Sequence, residues 1–183
     1  MKKIRYGIVG LGNQGSYYEG LFLDGKIENG ELSALCDHNT NKLNKAAERC
    51  GDNRVKEFLS YKEMLDSGVC DAVLVETPHY IHPEIVIECL KSGISVICDK
   101  PAGVYTKQVR EMNEIAKKSK AHFAIMFNQR TNCVYRKMKE IIASGGIGEL
   151  QRVNWILRIG SARKNITTAA RGALRGTAKV AAF

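Results

Sequence analysis

The sequence has 183 residues, 44% of them hydrophobic, and a net charge of +9, enough chain for one well-filled domain and the start of another. No apolar run approaches the roughly eighteen residues of a membrane-spanning helix, and MKKIRYGIVG has too short an apolar stretch, broken by glycine, to be a signal peptide; a cytoplasmic chain without a membrane partner is expected. The charge is local, since residues 1–150 hold 21 Lys/Arg against 19 Asp/Glu while residues 151–183 hold 7 Lys/Arg and no acid, and the aromatic residues form no stacking stripe, which argues against a nucleic-acid partner.

The chain opens with an apolar run, IRYGIV, that stops at Gly10, Gly12 and Gly15, spaced G-x-G-x-x-G, and SYYEGLFL after them can continue as a helix. Such a strand-turn-helix needs bare backbone. The first glycine supplies an unusual φ, the second leaves room for a pyrophosphate, and the third lets helix and strand pack closely. Leu11, Asn13 and Gln14 complete the turn, whose unpaired N–H groups would point at a phosphate. The acid that should close the next strand about 20 residues on is Asp37, which ends ELSALCD and precedes His38.

Asn39 and Thr40 are both suited to cap the helix NKLNKAAERC, VKEF reads as a brief third strand, and SYKEMLDSG as a helix. DAVLVETP is a continuous buried strand that Pro78 ends, and Pro83 starts an amphipathic helix, PEIVIECLKSG, closed by Gly93. ISVICDKP is a fifth strand with Pro101 at its exit. Thr106 caps KQVREMNEIAKKSK, whose Val109, Met112, Ile115 and Ala116 share a face, and HFAIMF is a sixth strand. Strands apolar on both faces and separated by helices predict an α/β fold, a doubly wound parallel sheet of the Rossmann type, over residues 1–128. Residues 129–157 are expected to begin a second, α+β domain. Six cysteines (Cys36, Cys50, Cys70, Cys89, Cys98, Cys133) contain no C-x-x-C pair and are expected as reduced thiols, with neither zinc nor disulfides.

In such a sheet ligands lie at the carboxyl ends of the strands, so the polar candidates are Gly10 to Gly15, Asp37 with His38, Thr77 to His82, Asp99 to Pro101, and Asn128 to Arg130. The set GLGNQG, an acid ending the second strand, TPHYIH after the fourth, DKP after the fifth and NQR after the sixth resembles the Gfo/Idh/MocA family of nicotinamide-dependent sugar and polyol dehydrogenases. The likeness runs from about Lys3 to about Leu157. It implies an oxidoreductase that moves a hydride between a nicotinamide and a hydroxyl-bearing carbon of a small sugar or polyol. A non-catalytic nucleotide-binding module and a Rossmann-like methyltransferase are the rival readings.

At the tip of the second strand, the Asp37 carboxylate would accept hydrogen bonds from ribose hydroxyls and repel a phosphate there, favouring NAD over NADP; a helix-capping role is its competing reading. Thr77, Pro78, His79 and His82 resemble the family's T-P-x-x-x-H segment, which implies a place beside the nicotinamide half of the cofactor. His79 and His82 lie outside regular helix between two prolines, with no third ligand at a plausible spacing, so no metal is expected. His82 reads as a helix-start or substrate-side residue. Asp99, Lys100 and Pro101 resemble the family's E-K-P motif, which implies proton transfer by Lys100 and a cis Lys-Pro bond; a solvated surface charge is the competing reading of Lys100. Asn128 and Arg130 end the sixth strand with Gln129, and the resemblance implies that this segment faces the cleft, where Arg130 either contacts cofactor or substrate or serves as a hinge.

The last 26 residues, 158–183, read RIGSARKNITTAARGALRGTAKVAAF and have neither strand nor helix periodicity. Read one frame over, codons for RGALRG and the residues after it allow W-R-x-x-W followed by G-G-G, a pattern resembling the family's second domain. A frameshifted tail is therefore expected, with a catalytically incomplete chain and self-association through an exposed edge near Trp155.

Overall fold

The computed structural model describes residues 2–154. In chain order the elements are β1 (Ile4–Val9), α1 (Asn13–Leu23), β2 (Gly30–Cys36), α2 (Thr40–Cys50), β3 (Lys56–Phe58), α3 (Tyr61–Asp66), β4 (Ala72–Val75), α4 (His82–Lys91), β5 (Ser95–Asp99), α5 (Thr106–Lys118), β6 (Phe123–Met126), a 3-10 turn (Asn128–Arg130) and α6 (Cys133–Ala143). The six strands form one parallel sheet ordered β3-β2-β1-β4-β5-β6. The chain thus starts at the sheet's middle, winds outward one way, and returns to β4 on the other side of β1. That reversal opens a crevice at the carboxyl ends of β1 and β4, where loops leave in opposite directions.

Alternate strand residues feed two cores. Ile8, Leu35 and Leu74 pack with Leu11, Tyr18, Leu43 and Ala46 under α1 and α2. Val9, Ala34, Cys36, Val73, Val75, Val96 and Cys98 pack with Met64, Ile85, Val86, Cys89 and Met112 under α3, α4 and α5. Burial on both faces explains the uninterrupted apolar runs of β4 and β5. The predicted face of α5 is the one observed: Met112 is fully buried, with Val109, Ile115 and Ala116 against the same core.

Local chemistry sets the boundaries. Asn39 caps α2 through its side chain, which accepts the Lys42 N–H at 3.2 Å, and Gly51 ends that helix at φ +58. Thr106 does not cap α5; it is the first helical residue, and Tyr105 holds the cap position with no side-chain hydrogen bond. The six cysteines are free, with Cys36, Cys70, Cys89 and Cys98 buried and Cys133 exposed. Burial pushes the Cys36, Cys89 and Cys98 thiols up to about 12.

Residues up to Tyr135 form one compact unit and those from Arg136 belong to a second. In the latter, the part of α6 after Tyr135 carries Met138, Ile141 and Ile142, and residues 151–154 of the expected strand QRVNWIL adopt no strand. Trp155, the edge near it and the suspected frameshifted tail lie outside the described residues. No helix among the described residues is long and apolar enough to cross a membrane.

Candidate functional site

The glycine turn between β1 and α1 behaves as its spacing demands. Gly10 sits at φ +97, and a Cβ there would lie 2.7 Å from the Glu76 carbonyl oxygen; a Cβ on Gly15 would lie 1.8 Å from the Gly10 carbonyl oxygen. Neither position can hold a side chain without moving backbone. Gly12 differs, because the space its Cβ would enter is open. It is the N-cap of α1 and offers no side-chain cap, so the first N–H groups of the helix are left for a ligand.

Asp37 pins this turn. It is 5% exposed, its Oδ2 accepts the Leu11 N–H at 2.8 Å, and its Oδ1 accepts the Asn39 N–H at 2.8 Å. The capping of α2 falls to Asn39, so the competing helix-cap reading of Asp37 gives way to a staple between the β2 exit and the glycine loop. A carboxylate has about four acceptor positions, and two remain for another donor. His38 stands exposed beside it, with Nδ1 3.5 Å from Asp37 Oδ1.

After β4, the chain does something the sequence reading did not anticipate. His82, expected as a helix-start or substrate-side residue, is the first residue of α4 but is fully buried. Its Nε2 lies 2.7 Å from the Thr77 carbonyl oxygen and its Nδ1 2.9 Å from the Pro101 carbonyl oxygen. It therefore ties the β4 exit to the β5 exit and turns no ring nitrogen toward a ligand. His79 and Pro78 are exposed, and the His79 ring stands edge-on to His82 at 5.5 Å. Among the described residues no group of three His, Cys, Asp or Glu side chains is arranged to hold a metal ion.

The Lys100–Pro101 bond is cis. Asp99 Oδ1 accepts the Lys100 backbone N–H at 2.8 Å, so this carboxylate braces the turn while the Lys100 side chain is exposed. Asn128 to Arg130, expected to end β6, curl instead into the 3-10 turn, held by Arg130 N–H donating to the Phe127 carbonyl. The curl stacks the Arg130 guanidinium on the Phe127 ring, 4.5 Å from its centroid. Together with Gln14 from the first turn of α1, Asp99, Lys100, Phe127, Asn128, Gln129 and Arg130 line a cavity of about 660 Å³. Candidates from three separate strand exits thus share one space. Glu76 carries no sequence signal of its own: it follows the apolar run of β4, is 8% exposed, and neither carboxyl oxygen has a hydrogen-bond partner among the described residues. Burial and the neighbouring Asp99 charge push it up to about 8.

A bare glycine turn feeding an uncapped helix at the reversal point of a parallel sheet defines a nucleotide-binding Rossmann domain. The chain belongs to the GFO_IDH_MocA family, described as "Oxidoreductase family, NAD-binding Rossmann fold", whose model matches residues 4–127. Similar curated proteins include a myo-inositol 2-dehydrogenase from Thermotoga maritima, 31% identical over 147 residues (80% of this chain, 42% of that protein), and the rhizopine catabolism protein MocA from Rhizobium meliloti, 26% identical over 155 residues (84% and 47%). Among solved structures, scyllo-inositol dehydrogenase from Lactobacillus casei with bound NAD(H) and scyllo-inositol is 26% identical with a TM-score of 0.76, covering 81% of this chain and 43% of that one. The chain spans less than half the length of the curated relatives it matches. It is an NAD-binding oxidoreductase domain related to inositol dehydrogenases.

Proposed function

We propose that the domain holds NAD in preference to NADP and that its active form moves a hydride between the nicotinamide and a hydroxyl-bearing carbon of a sugar or cyclic polyol. The observation that carries this reading is the single cavity in which Gln14, from the glycine-turn helix, meets Asp99, Lys100 and Arg130. Gln14, in the first turn after the glycines, and Lys100 thereby line one space, which supports a shared role. When bound, NAD supplies the hydride acceptor. The residues of this chain do the rest. Gly12 and the open N–H groups of Asn13, Gln14 and Gly15 receive the pyrophosphate, with Gly10 and Leu11 shaping the loop. Asp37 offers its remaining acceptor positions to ribose hydroxyls and opposes a 2′-phosphate by like charge, with His38 at its rim. Thr77, Pro78 and His79 flank the nicotinamide half, positioned through the His82 link. Lys100, as the free amine, takes the proton that leaves the substrate hydroxyl and returns it as the ammonium in the reverse direction, and Asn128 and Arg130 orient oxygens of the substrate or cofactor.

A cyclic polyol is favoured by the relatives, among them inositol dehydrogenases, and the wall of Lys100, Asn128, Gln129 and Arg130 supplies donors for several hydroxyls. The protein acts in the cytoplasm. The 183-residue chain, which spans less than half the length of those relatives, binds cofactor with negligible turnover. Titration calorimetry with NAD, NADP and S-adenosylmethionine tests the binding, and absorbance at the reduced-nicotinamide band with an inositol and sugar panel tests turnover. NAD binds most tightly of the three; a preference for NADP removes the role of Asp37, and a preference for the sulfonium ligand removes the whole reading. Robust turnover refutes the claim of incompleteness.

A further inference from the structure

Glu76 has no task in the proposed cofactor holding or proton transfer, yet it lies one residue beyond β4, between the exits of β1 and β5. β4 pairs Val75 with Val9 of β1 and with Cys98 of β5. One residue further on, Glu76 donates its N–H to the Val9 carbonyl at 2.8 Å and falls in a row with Gly10, Asp99 and Met126, of which Asp99 and Met126 are a ladder pair. Strand side chains alternate, and Leu74 faces the α1 and α2 core, so Glu76 is directed to the same side as α1, the side of the glycine turn. A Cβ on Gly10 would lie 2.7 Å from the Glu76 carbonyl oxygen and 2.9 Å from Thr77 Cγ2, so the backbone at Glu76 packs directly against the glycine turn. Its neighbour in the row, Asp99, lines the cavity with Gln14 and Lys100.

The surroundings decide its charge. Both carboxyl oxygens are buried and without partners, and the adjacent ionisable groups are Asp99 and Cys98 on β5 and Tyr18 on α1. Gly10 and Met126 bring no charge to the row, and the cations of the neighbourhood, Lys100 and Arg130, stand on the exposed cavity wall. With no donor and no cation against it among the described residues, the group keeps its proton at neutral pH. A cation brought into the cavity beside Asp99 favours the charged form of Glu76, whereas a neutral ligand of the same shape does not. The nicotinamide ring is such a pair: cationic when oxidised, neutral when reduced.

We propose that Glu76 makes this site sensitive to the redox state of its cofactor, releasing a proton when oxidised NAD binds and keeping it when NADH binds. The proposal rests on the cavity being the nicotinamide end of the site. On binding, the Glu76 O–H bond breaks, its electron pair stays on the carboxylate, and the proton passes to the buffer. By linkage, affinity for oxidised NAD rises with pH, up to tenfold per unit between about pH 6 and 8, while affinity for NADH stays flat.

The experiment is titration calorimetry of the 183-residue chain with oxidised NAD and with NADH at pH 7, in buffers of different ionisation enthalpy, for the wild type and Glu76→Gln. In the wild type, the observed enthalpy with oxidised NAD tracks the buffer enthalpy, reporting proton release; with NADH, and with either cofactor in Glu76→Gln, it does not. Equal release from both cofactors, or release that survives in Glu76→Gln, overturns the role of Glu76. Binding of both cofactors without release overturns it while leaving the cofactor site intact, and absence of binding overturns the site together with this inference. The pH dependence of the two wild-type affinities needs no variant: equal slopes for oxidised and reduced cofactor refute the proposal even where Glu76→Gln fails to fold.

Discussion

Replacing Asp37 by Ala separates the two tasks given to one carboxylate. In the folded chain its Oδ2 accepts the N–H of Leu11, which is 4% exposed, and its Oδ1 accepts that of Asn39, which is exposed. The Asn39 donor finds water in the variant, so little is lost there. The Leu11 donor is left buried, and losing a hydrogen bond to a charged acceptor costs about 1.5–3 kcal/mol, partly offset because a buried carboxylate is also removed. A net loss of about 2 kcal/mol corresponds to a fall in Tm of roughly 4–8 °C for a chain of this size, measurable by calorimetry or circular dichroism. Loss of the ribose acceptors weakens NAD by a further ~1.5–3 kcal/mol, roughly ten- to a hundredfold in Kd, and narrows the gap to NADP. An unchanged Tm refutes the staple; an unchanged NAD affinity at lowered Tm refutes the cofactor role while leaving the staple standing.

Two glycines of the same turn should respond oppositely. Gly15→Ala places a Cβ 1.8 Å from a backbone oxygen and should cost more than about 4 kcal/mol, leaving little folded chain by circular dichroism, whereas Gly12→Ala enters open space at φ −76, should change Tm by less than a few degrees, and should weaken NAD at least tenfold. Acid stability should depend on Asp71, which Arg5 holds down at about 2: the folded pKa is depressed, so the contribution is present above the unfolded value near 3.9 and is lost as pH falls toward 2, and Asp71→Asn should flatten the Tm profile in that window. Glu76 runs the other way, since its raised folded pKa means the folded state holds a proton the unfolded state has lost; Tm should fall as pH rises from about 4.5 to 8 and fall less in Glu76→Gln. A thiol reagent at neutral pH should label Cys133 fast and Cys36, Cys89 and Cys98 only on unfolding, as followed by mass spectrometry; fast labelling of all six contradicts the packing.

What could be read from the sequence was whatever depends on local backbone or on burial along one element. Gly10, Gly12 and Gly15 announce a turn because other residues cannot occupy it, and the unbroken apolar runs of β4 and β5 announce strands covered on both faces. The features that escaped join residues far apart in the chain. The Asp37 staple reaches Leu11 across 26 positions, and His82 finds its second carbonyl at Pro101, 19 positions on. From sequence alone, a histidine after a proline turn looks like a ligand-side group; only the convergence of the β4 and β5 exits buries it. Glu76 is hidden for the opposite reason: inside DAVLVETP it reads as part of the strand, though it is the lone acid between the first residue of that run and its end. Asn128 to Arg130 read as a strand end because HFAIMF gives no stop signal, and the 3-10 curl that brings them to the cavity carries no glycine or proline to mark it.

The measurement that tests the cofactor site most directly is an amide proton–nitrogen correlation spectrum of the chain titrated with NAD. The proposed cofactor site predicts the largest shifts at Gly12, Asn13, Gln14 and Gly15, at Leu11 and Asn39 on either side of Asp37, and at Lys100 and Arg130, with the NADP titration weaker at Leu11 and Asn39. Shifts confined to the opposite ends of the strands, or no shifts at millimolar NAD, would contradict it.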